Sequence, residues 1–98
     1  MKTYARIVRL LKKMCPVEHP VSVRRVPLSE ELDGDCQFKD GCFLIRINRN
    51  LEEHEAIETF LHEYAHALAW DVTKDDHSDN WGKAYSRLYR VFLKEFFK

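Results

Sequence analysis

The pair Asp40-Gly41 lies between two short runs of alternating apolar residues and is the strongest constraint on the fold of this chain. Asp-Gly is a preferred two-residue turn of a β-hairpin, because both positions tolerate the positive φ angles that the turn needs. In the register that this turn sets, Phe38 faces Phe43 and Cys36 faces Ile45. One face of the predicted hairpin then holds the apolar side chains of Cys36, Phe38, Phe43, Ile45 and Ile47.

The residues before the hairpin predict a helix and a short strand. Apolar side chains recur at helical spacing over residues 3–14, and Pro16 and Pro20 mark the break that follows. Imperfect alternation over residues 21–28 indicates a short strand, and the polar stretch 29–35 predicts a loop. The strand of residues 42–48 is expected at the edge of the resulting sheet.

Two helices are predicted after the hairpin. Asn50 resembles an N-cap, with Glu53 at N3, of a helix over about residues 51–70. Ser78 is a second candidate N-cap, and the helix that it starts has the apolar stripe Trp81, Tyr85, Leu88, Phe92 and Phe96. Helix, two or three strands, helix and helix form a small α+β domain, and we expect residues 1–98 to be one domain.

Composition excludes several classes of protein. The chain has 98 residues, of which 45% are hydrophobic and 33% charged, as in ordinary soluble domains and unlike disordered ones. No apolar run approaches the roughly 20 residues of a membrane-spanning helix, so no membrane contact is expected. The hairpin register puts Cys36 and Cys42 on opposite faces, which argues against a disulfide between them. Three cysteines and the lack of a secretory pattern predict a reduced, cytoplasmic protein.

The segment HEYAH, residues 62–66, carries the clearest chemical signal. Residues four apart on a helix lie about 40° apart around its axis, so the imidazoles of His62 and His66 project from one face and can bind one metal ion. Glu63 lies on the same side and can act on a metal-bound water without being a ligand. Two ordinary surface histidines are the alternative interpretation.

A catalytic zinc site needs a third protein ligand and an open position for water. His77 is the favoured third ligand because it lies eleven residues after His66, past a polar loop over residues 71–77 that is long enough for the chain to reverse. Aspartates of the same loop are the competing ligands: Asp71, Asp75 and Asp76. Zinc is inferred from the ligand types, and another divalent ion could replace it.

The segments HEYAHALAW and HSDNWGKAY together resemble the SprT-like branch of the zincin metallopeptidases. That family combines HExxH with a downstream His-Gly-x-x-Trp/Phe segment at the start of the next helix. The resemblance covers about residues 42–92, and the short length resembles minimal phage or bacterial members. Ser78 departs from the family pattern, because it stands where glycine is usual.

The resemblance implies a zincin-like fold and a zinc metalloendopeptidase acting on protein or peptide substrates. Zinc would be bound by His62, His66 and His77, with Glu63 as the general base. An extended substrate would pair with the edge strand, for which we expect residues 42–48. Tyr85 is a candidate oxyanion donor, although its place in the apolar stripe is the competing interpretation. The alternative function is a binding module for nucleic acid or a host protein, with a structural or vestigial zinc site.

Charge is distributed unevenly although the formal net charge is zero. Residues 1–25 carry +6, residues 26–80 carry −10 and residues 81–98 carry +4. Basic side chains recur on one face of each terminal helix: Lys2, Arg6, Arg9 and Lys13 in the first, and Lys83, Arg87, Arg90, Lys94 and Lys98 in the last. Solvated helix faces explain this pattern, and a DNA phosphate-contacting surface is the second hypothesis. Some SprT-like relatives digest DNA-bound proteins, which favours DNA as a partner.

Overall fold

Three helices and a three-stranded mixed sheet form the part of the chain that the computed structural model describes, residues 2–70 and 79–96. This confirms the predicted α+β class. No helix among the described residues combines the length and apolarity needed to cross a membrane. In chain order, the elements are α1 (Lys2–Met14), β1 (Val21–Val26), β2 (Gly34–Lys39), β3 (Cys42–Asn48), α2 (Glu53–Leu68) and α3 (Asp79–Phe96).

The hairpin between β2 and β3 forms as predicted. Asp40 and Gly41 have φ angles of 54° and 76°, the positive values that a tight hairpin turn requires. Phe38 pairs with Phe43 and Cys36 pairs with Ile45, so the predicted register is confirmed. All three cysteines are free thiols.

The order of strands corrects one prediction. The sheet runs β1-β3-β2, with β1 parallel and β2 antiparallel to β3. The strand Cys42–Asn48 is therefore central and not the edge, because β1 adds to its other side. Among the described strands, β2 is the antiparallel edge.

Strand β2 also begins earlier than the sequence pattern indicated. Gly34 and Asp35 belong to β2, whereas we predicted a loop over residues 29–35. A cross-strand ion pair explains the extension: the Nε of Arg46 donates to Oδ1 of Asp35 over 2.8 Å. Polar residues can lie in a strand when their partners lie opposite them on the neighbouring strand.

The start of α2 differs from the predicted one by two residues. Glu52 is the N-cap and forms a capping box with Glu55, so the prediction of Asn50 as the cap with Glu53 at N3 is wrong. Instead, the backbone N–H of Asn50 donates to the side chain of Asn48, over 3.1 Å. Helix α2 ends at Leu68, which is slightly earlier than residue 70. The predicted N-cap Ser78 lies outside the described residues.

The core lies between the sheet and α2, which packs against β2, β3, α1 and α3. Helix α2 has apolar residues on several sides because it is covered on several sides. The hydroxyl of Tyr64 donates to the backbone oxygen of Cys15 over 2.7 Å and ties α2 to the end of α1. The buried hydrophobic residues include Ile7, Leu11, Phe43, Ile45, Ile47, Phe60, Leu61, Tyr64, Ala65 and Leu88.

Candidate metal centre

Three side chains of the HEYAH segment come together in the second half of α2. His62, Glu63 and His66 each offer a ligand atom, and these atoms all lie within 4.8 Å of one another. The two imidazole centroids are 5.0 Å apart, as expected for residues one turn apart on a helix. The structure thus groups the three residues that the motif singled out.

The donor set fits a zinc ion. Nitrogen ligands lie about 2.0–2.1 Å from zinc, which puts two tetrahedral ligand atoms roughly 3.4 Å apart. The ligand atoms of His62 and His66 lie within 4.8 Å of each other, which is compatible with that distance. His62 and His66 are half-buried, so their rings combine partial shielding with access from solvent. His62, His66 and a third ligand could therefore hold zinc, with Glu63 beside it.

Trp81 in the first turns of α3 supports both histidines. Its ring lies 5.0 Å from the ring of His62 and 5.6 Å from that of His66, measured between centroids. Its Nε1–H donates to the backbone oxygen of His62 over 3.2 Å. Trp81 therefore limits the rotation of both imidazoles and holds α3 against α2 at the candidate centre.

Glu63 is only 9% exposed and lies in α2, which packs against β2 and β3. The neighbouring group on β2 is Cys36, whose thiol pKa is raised to about 12. Burial is the main cause, and the carboxylates of Glu63 and Asp35 add to it because they disfavour a thiolate nearby. The sequence analysis treated Cys36 as a small core residue and did not place it beside Glu63. The signal was available only in the hairpin register combined with the packing of α2.

Tyr85 lies one ring farther from the two histidines than Trp81 does. The two rings stack with centroids 5.1 Å apart. The Tyr85 hydroxyl donates to Oε2 of Glu58 over 3.5 Å, and burial, followed by nearby Glu58, raises the pKa of this phenol. Tyr85 thus belongs to the aromatic row of α3, and its role as an oxyanion donor remains a prediction.

The candidates for the third ligand come from the segment between α2 and α3. His77 and its competitors Asp71, Asp75 and Asp76 lie outside the described residues. A second group of potential ligands, Glu52, His54 and Glu55, is exposed and forms the start of α2. Its carboxylates already act in the capping box, which accounts for their proximity.

The basic residues of α3 are all on the surface. Lys83, Arg87, Arg90 and Lys94 are exposed, while the helix buries Leu88 and Phe92. Helix α1 lies beside α3, and the guanidinium of Arg6 sits 6.0 Å from the centroid of the Phe96 ring. Phe96 belongs to the apolar stripe of α3, so this approach joins α1 to the apolar side of that helix and leaves the basic side chains of α3 exposed.

Comparison with protein families gives a match to the SprT-like family over residues 7–95. The matched region contains the sheet, α2 with its three clustered side chains, nearly all of α3 and the second part of α1, from residue 7 onward. A search of curated proteins gave no match.

Proposed function

The chain belongs to the SprT-like family, and on that premise we propose that it is a zinc-dependent metallopeptidase that hydrolyses peptide bonds in protein substrates. One observation carries the proposal. His62, Glu63 and His66 present their ligand atoms within 4.8 Å of one another on one helix. Two imidazoles with an adjacent carboxylate are the ligand pair and general base that such a peptidase needs.

The residues of the centre have separate tasks. Zinc, when bound, polarises a water molecule and lowers its pKa towards neutrality. The carboxylate of Glu63 accepts a proton from the attacking water and delivers it to the leaving amine. Trp81 holds the two imidazoles in place, so the ligand geometry is set before substrate binds.

His77 is our proposed third ligand. It begins the segment that resembles the family pattern and precedes α3, whose first turns contact the histidines through Trp81. Metal analysis tests this choice: His77→Ala should lose most of the zinc, whereas Asp75→Asn should keep it. Equal zinc content in both variants would refute the assignment.

The substrate is proposed to bind along the outer edge of β2. A peptide can extend the sheet there, because β2 is an edge strand and packs against α2. This replaces the edge expected from the sequence, since β3 is covered on both sides. Antiparallel pairing is the more stable arrangement for the added strand.

The test is cleavage of an unfolded protein such as casein by zinc-loaded protein. Glu63→Gln keeps the shape of the side chain and removes the base, so it should retain zinc and lose about 10²–10⁴-fold in rate. Glu31→Gln, which changes an exposed carboxylate in the loop before β2, is the matched control and should cleave normally. Unchanged activity in Glu63→Gln would refute the mechanism. Absence of cleavage by the wild type with zinc bound would favour the alternative, a binding module with a structural or vestigial site.

A second proposal is that DNA binds the basic faces of α3 and α1. The supporting observation is that Lys83, Arg87, Arg90 and Lys94 are all exposed and recur along one face of α3. Binding to duplex DNA should then weaken steeply with salt, with a log–log slope of about −0.9 per phosphate contacted.

Charge reversal on α3 tests the DNA proposal. The double variant Arg87→Glu/Arg90→Glu should reduce both the affinity and the salt slope in a fluorescence anisotropy titration. Arg24→Glu on β1 changes an exposed cation elsewhere and serves as the control. Absence of binding by the wild type at low salt would refute a DNA partner.

A further inference from the structure

Strand β2 and helix α2 run side by side, so that successive residues of the strand lie near successive turns of the helix. Gly34 lies against Thr59, since a Cβ built on Gly34 would be 2.7 Å from the Thr59 methyl carbon. Two residues along the strand, Cys36 lies near Glu63, which is four residues along the helix. Two strand residues span about 6.7 Å and four helix residues about 6.0 Å, so every second residue of β2 lies near every fourth residue of α2.

Farther along both elements lies a pocket that has several aromatic rings in its wall. Phe38 is two residues beyond Cys36, and the helix contributes Ala67 and Leu68, immediately after His66. The pocket has a volume of about 260 Å³. Its lining comprises Pro16, Val17, Glu18, His19, Phe38, Phe43, Ala67, Leu68 and Trp70.

Aromatic rings form one part of the wall. The Trp70 ring centroid is 5.4 Å from that of Phe43 and 6.2 Å from that of Phe38. The ring of His19 lies 5.1 Å from that of Phe38 on the other side. Trp70 is 47% exposed and Phe38 is 39% exposed, unusually high values for large apolar side chains that touch other rings. These rings therefore present an accessible apolar surface.

The size of the pocket selects the kind of occupant. Small-molecule sites usually have volumes of roughly 300–1,000 Å³, and this one is slightly smaller. An apolar cavity of about 150 Å³ already holds benzene, so a pocket of this size can hold one aromatic or large aliphatic side chain. Rings arranged around it would add edge-to-face contacts to an incoming ring.

We propose that this pocket, formed by Trp70, Phe38 and His19 at the end of β2, binds a bulky apolar side chain of the peptide substrate. The inference rests on the proposed peptidase function and adds a substrate preference to it. A peptide antiparallel to β2 has its N-terminal part at the Phe38 end of the strand. Cys36 lies near Glu63, and β2 packs against α2. A pocket about two residues farther along β2 would therefore receive a residue about two positions before the scissile bond.

Cleavage-site analysis is the first test. Zinc-loaded wild type digests a library of peptides, and the sequences around the cut bonds are determined. We expect Phe, Tyr, Trp, Leu or Met to be enriched on the N-terminal side of the cut. For a pair of peptides that differ by Phe against Ala at that position, kcat/KM should differ by tenfold or more, since one methylene alone is worth about 10–200-fold.

Trp70→Ala should remove this preference, so that the Phe and Ala peptides differ by less than about threefold, by loss of one pocket wall. Trp70 is largely exposed, so we expect the fold to survive its truncation. Leu93→Ala removes a side chain of similar exposure from α3, outside both proposed binding surfaces, and should leave the preference intact. A preference that is absent, lies on the C-terminal side or persists in Trp70→Ala would overturn the proposal.

A binding measurement separates failure of the pocket from failure of the proposed function. The acetylated, amidated peptides Ala-Phe-Ala-Ala and Ala-Ala-Ala-Ala are titrated into ¹⁵N-labelled Glu63→Gln protein, and the indole N–H signals are followed by NMR. The Phe peptide should shift the Trp70 signal at concentrations where the Ala peptide does not, even if no substrate is cleaved. Equal responses to both peptides would overturn the pocket, as would self-association that Trp70→Ala abolishes, because a second copy would then be the occupant.

Discussion

Replacement by alanine should have opposite effects on the free energy of unfolding at Gly34 and at Gly82. An alanine Cβ at Gly34 would lie 2.6 Å from the backbone oxygen of Arg46 and 2.7 Å from the methyl carbon of Thr59. Both distances are below those that real Cβ atoms show, and the Arg46 carbonyl belongs to the central strand and cannot rotate away. At Gly82, in contrast, nothing lies within 4 Å of the added atom.

The expected magnitudes follow from these contacts. Overpacking a tight position costs about 1–3 kcal/mol, and the smaller unfolded-state entropy of alanine offsets about 0.4–1 kcal/mol of that. Gly34→Ala should therefore lower the free energy of unfolding by about 1–2 kcal/mol, which is roughly 4–16 °C in Tm for a domain of this size. Gly82→Ala lies in helix α3 and should raise the free energy of unfolding by about 0.5–1 kcal/mol.

Urea unfolding followed by far-ultraviolet circular dichroism measures both effects under one set of conditions. The double variant Gly34→Ala/Thr59→Ser tests the cause, because it removes the methyl contact and leaves the carbonyl contact. It should recover part of the lost stability, less than Gly34→Ala loses. A Gly34→Ala protein as stable as the wild type, or a Gly82→Ala protein that is equally destabilised, would refute the steric reasoning.

Three further predictions concern buried groups and the candidate centre. Tyr64→Phe should lower the free energy of unfolding by about 1–1.5 kcal/mol, because a buried carbonyl at the end of α1 loses its donor. Tyr89→Phe removes only an exposed 3.4 Å contact and should change the free energy of unfolding little in the same urea titration. At pH 8, iodoacetamide should label the exposed Cys42 much faster than Cys36, because a pKa of about 12 leaves roughly one Cys36 side chain in 10⁴ as thiolate. Raising the pH towards 12 should accelerate the labelling of Cys36. Comparable labelling rates of the two cysteines at pH 8 would contradict the burial of Cys36. Trp81→Ala should weaken zinc binding about tenfold in a chelator competition, whereas unchanged affinity would show that its contacts with the two imidazoles do not orient them.

The features that were predicted correctly depend on short stretches of sequence. The Asp40-Gly41 turn determines its own φ angles, and the alternation on each side determines which residues face the core. The pairing of Phe38 with Phe43 follows from the turn alone. The proximity of His62 to His66 likewise requires only that residues 62–66 form a helix.

The wrong predictions concern choices that depend on distant residues or on close competitors. The position of β3 in the centre of the sheet requires parallel pairing with β1, from which it is separated by β2 and two loops. The sequence of residues 42–48 contains no local pattern that predicts this parallel pairing. At the start of α2, several polar residues could cap the helix, and Glu52 does so because Glu55 completes the capping box.

The surroundings of the candidate centre were unpredictable from the motif for the same reason. Helical spacing places Glu63 beside the histidines, but the strand opposite it depends on how closely β2 approaches α2. The contact between Gly34 and Thr59 determines that approach, because any side chain larger than hydrogen at residue 34 would push the strand away. From that point the two elements advance by nearly equal distances, so Cys36 lies near Glu63 and Phe38 lines the pocket with Trp70. A glycine more than 25 residues before the HEYAH segment therefore controls the distance between the proposed general base and the strand proposed to bind the substrate.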